Sequence, residues 1–315
     1  MVKRRLGSSG IEVGPLAFGG NVFGWTADEA MSFRLLDAFT AAGFNLIDTA
    51  DSYSRWVPGN SGGESETIIG KWLKRSGRRQ EVVIATKVGS ELGPTDKGLS
   101  KSYILRAVEK SLQRLQTDYI DLYQSHFDDP ETPIEETLDA YSLLISQGKV
   151  RAVGASNYTA GRLSRAMEIC EQRGLPCYRT LQTLYNLYDR ADYETHLQPL
   201  CLKKGLGVLT YFSLASGFLT GKYRSEYDLA GKARAEMVRK YLNDRGLRIL
   251  DALDQVSKQH RSTPAAVSLA WLMSRPGITA PIASATTPEQ LKALLEAPKL
   301  KLADSSLKLL NQASA

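Results

Sequence analysis

The sequence predicts an α/β protein of the (β/α)8 TIM-barrel class, and three observations carry the prediction. Short runs rich in β-branched and aromatic residues recur eight times, at 16–19, 44–47, 82–87, 119–124, 150–156, 178–182, 207–212 and 279–284. Longer segments with helical spacing of apolar residues separate them. Polar, chemically competent residues stand at or just past the ends of the runs. Alternation of strand and helix with no compositional break favours one closed parallel barrel, a single domain spanning 1–315. An open doubly wound sheet is the rival. Its dinucleotide-binding form wants GxGxxG after the first strand, and the chain carries FGGNVFG at 18–24 instead.

The elements follow in order. The opening KRRLGSSGIEVG reads as a β-hairpin turned at Ser8, Ser9 and Gly10, placed to plug the N-terminal end of the barrel. Residues 28–42 set Met31, Leu35, Phe39 and Ala42 about one turn apart, which predicts a helix. A shorter helix is expected over 64–74. Residues 100–115 gather Ile104, Val108, Leu112 and Leu115 on one face, with Ser100 as the cap. The same reasoning assigns helices to 133–147, 160–174, 194–204 and 263–275. Three stretches exceed ordinary connections: Tyr53 to Gly63, a long loop from Phe212 to about Asn243 after the seventh strand, and a tail after Ala297 with an extra helix over 300–311. Connections of this length in a barrel usually shape a site.

Composition bounds the function class. Apolar residues make up 43% and charged residues 23%, the balance of a globular protein with a sizeable core. No apolar run approaches the roughly 20 residues of a membrane span, and MVKRRLGSSG lacks the apolar stretch of a signal peptide. A cytoplasmic location is expected. Cys170, Cys177 and Cys201 form no CxxC pair, and three histidines offer no zinc spacing, so no metal is expected. The cysteines read as small, buried or half-buried hydrophobes. The net charge of +6 lies partly in clusters at 3–5, 74–79 and 232–248 without interleaved aromatics, so neither nucleic acid nor membrane is expected as a partner.

Four residues carry the chemistry. Asp48, Lys87 and His126 close the second, third and fourth strands, and Tyr53 follows Asp48 by five residues. A barrel brings strand ends to one mouth, so these side chains should be neighbours. A lysine beside a phenol favours the phenolate, a carboxylate can hold that lysine, and an imidazole can bond the same substrate oxygen. Such a group suits protonation of an alkoxide forming on a carbonyl carbon. No side chain supplies hydride, so a nicotinamide cofactor is required.

The motifs around these residues resemble the aldo-keto reductase family. GFNLIDTADSY at 43–53, IATK at 84–87, LQRLQTDYIDLYQSH at 112–126 and VRAVGASNY at 150–158 are similar to the family's signatures and stand in its order. The resemblance implies a (β/α)8 barrel, an extended nicotinamide cofactor, and reversible reduction of aldehydes or ketones with Tyr53 as proton donor. It also implies cofactor contacts by matched position. Ser156, Asn157 and Gln182 resemble the residues that hold the nicotinamide carboxamide, and Tyr211 the aromatic that stacks on its ring. FSLASGFLTGKY at 212–223 resembles the pyrophosphate loop, with Ser213, Leu214, Gly217, Leu219, Gly221 and Lys222 in the matching places. Ser284, Thr286, Thr287 and Gln290 resemble the segment gripping the adenosine end. NADP(H) is expected as the cofactor, and because that segment lacks the basic residue many NADPH-preferring members carry, NAD(H) is kept as the alternative. Phe23, Trp25 and Trp56 are expected to line the substrate pocket. Two other classes are weighed: a cofactor-binding auxiliary protein similar to potassium-channel β subunits, and a non-redox barrel lyase or isomerase. Whether the chain is a monomer or a homo-oligomer is left open.

Overall fold

The computed structural model describes residues 2–315. Two strands form an N-terminal hairpin, β1 (Arg4–Arg5) and β2 (Glu12–Val13), paired antiparallel. Eight parallel strands then close a barrel: β3 (Ala17–Gly19), β4 (Leu46–Asp48), β5 (Val83–Val88), β6 (Ile120–Ser125), β7 (Val150–Ser156), β8 (Thr180–Leu184), β9 (Gly207–Tyr211) and β10 (Ile278–Ala283). β10 pairs with both β9 and β3, which completes the ring. The helices are α1 (Glu29–Ala41), α2 (Glu64–Ser76), α3 (Lys101–Leu115), α4 (Ile134–Ser146), α5 (Ala160–Arg173), α6 (Gln198–Lys204), α7 (Ala235–Arg239), α8 (Asp244–His260), α9 (Pro264–Met273), α10 (Pro288–Glu296) and α11 (Asp304–Ala313).

Helix starts follow local chemistry. Asp28, Ser100, Thr159, Asn243, Thr263 and Thr287 each accept a hydrogen bond from a first-turn backbone N–H. Proline occupies the first turn of α9 and α10, where its missing N–H costs nothing.

Two apolar layers result. Between strands and helices, outward residues such as Phe18, Ile84, Tyr123 and Val208 pack on Leu35, Trp72, Val108 and Leu144. Inside the barrel, Ala17, Leu46, Ala85, Leu122, Leu209 and Ile282 form one cluster with Leu6, Ile11 and Val13 of the hairpin. The hairpin therefore plugs the ring. Gly7, at φ 57°, makes the close approach possible: a Cβ there would stand 2.1 Å from the Arg179 carbonyl oxygen.

The structure amends the sequence reading of several elements. The region after the long loop holds the 17-residue helix α8, within which Ile249, Leu250, Leu253 and Val256 are buried. Its helical spacing was masked by the charge cluster at its start. The segment 194–204 divides into a π-helical turn, Tyr193–Leu197, and α6. Cys170 and Cys177 are joined by a disulfide with Cα atoms 5.3 Å apart, rather than standing as separate thiols. The chain reverses at Gly174, φ 65°, which brings them together; Cys201 is buried and free, as expected. Among the described residues, no helix is long and apolar enough to cross a membrane, and no cluster of ligating side chains could hold a metal ion.

Candidate active site

Strand periodicity sets the site. Side chains alternate across a strand, so inward Leu46 makes Asp48 inward, Ala85 does the same for Lys87, and Leu122 leads by steps of two to His126. Lys87 and Asp48 are fully buried. The Lys87 ammonium spends all three of its protons: on Asp48 Oδ2 at 2.8 Å, the Thr49 carbonyl at 2.7 Å and the Tyr53 hydroxyl at 2.9 Å. The Tyr53 hydroxyl donates in turn to Asp48 Oδ2, a long contact at 3.3 Å. Gln182 Nε2 donates to Asp48 Oδ1 at 2.7 Å. The His126 ring lies 6.1 Å from that of Tyr53, stacked on Phe127. The four predicted side chains are thus neighbours at one end of the barrel.

The electrostatics differ from the expectation in one respect. Burial, then the charge of Asp48, pushes the Tyr53 phenol well above its usual value. The anticipated lowering by Lys87 does not prevail, first because the phenol is buried and then because the Asp48 carboxylate shares the lysine and touches the phenol. Burial pulls the Lys87 ammonium below its usual value, with Asp48 opposing. Burial and then the Lys87 charge push His126 down to about 3. Its Nδ1 is buried without a partner, so Nε2 is the atom left to meet a ligand.

Further round the mouth, Asn157 sits at φ 58°. Its amide donates to the His126 carbonyl at 2.9 Å and to Ser156 Oγ at 3.2 Å, and it accepts from the Tyr211 hydroxyl at 2.7 Å. Asn157 is therefore committed to holding the rim, and Tyr211 is anchored by it. The loop after β9 winds through positive φ at Phe212, Ala215, Ser216, Gly217 and Gly221. Ser213 turns its hydroxyl inward to the Thr210 carbonyl, and Leu219 is buried in the core, so these two face a ligand only through backbone. Leu214 is half-buried against the core. Lys222 is exposed and has no acidic partner among the described residues. Thr287 caps α10, and Gln290 returns its side chain to the Thr286 N–H and hydroxyl. Ser284 donates to Asn21 at 2.6 Å.

Phe23 departs from its expected place: it is fully buried and stacks on Phe18 in the core. Trp25 and Trp56 meet edge to face at 5.6 Å, and Trp56 meets Tyr53 at 6.1 Å, so an aromatic wall leads to the phenol. Sequence reasoning missed Arg234, whose guanidinium stands 5.3 Å from the Trp25 ring. No local signal marks it, since only the path of the long loop brings it there. The Thr49 carbonyl was also missed, as backbone acceptors leave no trace in composition. A cleft of about 890 Å³ lies elsewhere, against α1, α9 and α10, and its lining includes none of the predicted site residues.

The family model described as "Aldo/keto reductase family" matches residues 15–315. An uncharacterized oxidoreductase of Bacillus subtilis, YrpG, is 36% identical over 314 residues, covering 97% of this chain and 94% of the relative. The aldo-keto reductase YhdN of the same organism is 35% identical over 295 residues, 92% of this chain and 85% of the relative. A probable voltage-gated potassium channel subunit beta of Arabidopsis thaliana is 32% identical over 305 residues, 94% and 91% respectively.

Proposed function

The chain belongs to the aldo/keto reductase family, and from that premise we propose that it reduces the carbonyl group of aldehydes or ketones to the alcohol, reversibly, with NADP(H) as cofactor. The observation that carries this reading is the bonding of Lys87 to both Asp48 and Tyr53 in a buried site. Tyr53 is the proton donor. Its raised proton affinity keeps the phenol protonated at neutral pH, ready to give its proton to an oxygen that becomes more basic as the carbonyl is reduced. Lys87 then holds the phenolate, and Asp48 keeps the ammonium in place. His126, neutral at that pH, offers Nε2 to the same oxygen.

The residues around the mouth fit a nicotinamide cofactor, which would supply the hydride. Ser156 and Gln182, whose amide also donates to Asp48, would hold the carboxamide, and Tyr211 would stack on the ring. Asn157 acts by fixing Tyr211 and the His126 strand end. The positive-φ loop from Phe212 to Gly221 presents backbone, and Lys222 a free charge, to the pyrophosphate. The N-terminus of α10, with Ser284, Thr286, Thr287 and Gln290 around it, takes the adenosine end. No Arg or Lys stands between Ala283 and Gln290, so NAD(H) is the competing cofactor. The aromatic wall of Tyr53, Trp56 and Trp25 favours substrates with flat or apolar bodies.

Tyr53→Phe tests the reading. It should lower carbonyl reduction by about 10²-fold or more while cofactor binding, followed by fluorescence quenching, persists. Wild-type turnover in that variant would overturn the donor assignment. Running the assay with NADPH and NADH decides the cofactor, and a several-fold higher kcat/KM with NADH would reverse our preference. A second reading, a cofactor-binding auxiliary subunit with little turnover, rests on the similarity to the Arabidopsis protein; a stable membrane-protein partner and negligible reduction of any carbonyl would favour it.

A further inference from the structure

Asp51 lies between Asp48 and Tyr53 in sequence, and neither the motif reading nor the proposed chemistry uses it. It is 2% exposed, and both carboxyl oxygens are buried without a hydrogen-bond partner. Buried polar groups are nearly always paired, so an orphaned carboxyl beside a reactive site asks for a function. Its backbone N–H donates to the Lys87 carbonyl at 3.3 Å, which ties the loop to β5.

Its carboxyl interacts electrostatically with Glu66 of α2, Arg114 and Tyr103 of α3, Tyr123 of β6, Tyr141 of α4 and Lys87 of β5. Glu66 is occupied: it accepts from Thr86 at 2.5 Å and from Arg114 at 2.7 Å. The Tyr123 hydroxyl is, like Asp51, buried and unpartnered. Arg114 is thus committed to Glu66 and Lys87 to Asp48, and Asp51 has no cation of its own.

We infer that Asp51 is a positioning residue of the proposed reductase site, acting through Lys87 to set how much of the ammonium's charge is available to the Tyr53 phenolate. An ionised carboxylate in this enclosure would be buried without a partner, which is far costlier than a neutral acid. Burial, then the charge of Glu66, accordingly pushes the Asp51 carboxyl well above its usual value, with Arg114 and Lys87 opposing. While Asp51 is neutral, Asp48 is the only carboxylate bonded to Lys87. If Asp51 ionises, a second negative charge raises the proton affinity of Tyr53 and weakens it as a donor. Replacing Asp51 by asparagine forbids that charge, so the phenol titrates at lower pH.

The inference rests on the reductase reading but is tested partly without it. Infrared spectroscopy of the wild-type protein at neutral pH should show the carbonyl stretch of a buried protonated carboxyl, absent in Asp51→Asn and present in Asp51→Glu. In kinetics, the alkaline limb of carbonyl reduction should move down by roughly half a pH unit or more in Asp51→Asn and return toward wild type in Asp51→Glu. Absence of the protonated-carboxyl band from the wild type overturns the inference. So does an Asp51→Asn limb superimposed on the wild type in a protein that binds cofactor normally. If Asp51→Asn does not fold, the wild-type band decides. If no carbonyl is reduced at all, the reductase reading fails, and the band still decides the state of Asp51.

Discussion

Replacing Lys87 by methionine keeps the apolar stem and deletes the ammonium. Three hydrogen bonds are lost: those to Asp48, to the Thr49 carbonyl and to Tyr53. Asp48, itself 1% exposed, is left with Gln182 at 2.7 Å and a long contact from Tyr53. Removing one partner of a buried ion pair costs about 3–5 kcal/mol, because the other charge stays buried and uncompensated. The ammonium is itself strained by burial, which pulls its proton affinity down, so deleting it recovers part of that cost. The net destabilisation should fall near the lower end, about 3 kcal/mol. Urea unfolding followed by tryptophan fluorescence measures it, since Trp72 and Trp271 are fully buried. Carbonyl reduction should fall by about 10²-fold or more, as for loss of one preorganised charge. Adding Asp48→Asn removes the stranded carboxylate, and the pair should couple by about 1–3 kcal/mol, leaving the double variant more stable than the sum of the singles. Lys87→Met within about 1 kcal/mol of wild type, or strict additivity of the two changes, would refute the claim that this is one buried, mutually dependent pair.

Two further outcomes follow from other parts of the fold. His126 is held down to about 3 against an ordinary value of 6.5, so between these values the unfolded chain binds more protons than the folded one. Stability should therefore fall as pH drops below 6.5, by at most about 1.4 kcal/mol per pH unit from this residue. His126→Asn should flatten that part of the urea-midpoint profile, and an unchanged profile would contradict it. Gly70→Ala should destabilise by about 1–3 kcal/mol, because a Cβ there would stand 2.0 Å from the Arg114 carbonyl and force α2 from α3. A variant as stable as wild type in thermal unfolding would show that these helices part at little cost.

Much of the architecture was legible because the responsible signals are local. Strand runs such as VVIAT before Lys87, and a cap such as Ser100, act within a few residues of themselves. Helix α8 escaped notice because Arg245 and Arg248 interrupt a stretch whose apolar face shows only when Ile249, Leu250, Leu253 and Val256 are taken together. The disulfide escaped because its seven-residue spacing matches no common motif, and only the reversal at Gly174 brings the sulfurs together. The tail helix was placed a few residues early, since Lys299 and Lys301 continue the polar and apolar alternation ahead of Asp304.

At the site the division is sharper. Residue order and the two-residue period of strands are enough to bring Asp48, Lys87 and His126 to one mouth, since a closed parallel barrel leaves strand ends no other place to go. They are not enough to assign the bonds. That Asn157 is occupied by Tyr211, that Ser213 turns inward, that Phe23 joins the core and that Arg234 returns over Trp25 are decided by packing between segments distant along the chain. The proton affinity of Tyr53 belongs with them. The tyrosine and its lysine are visible in one dimension, but burial and the shared Asp48 carboxylate exist only in three, and they set the sign of its shift.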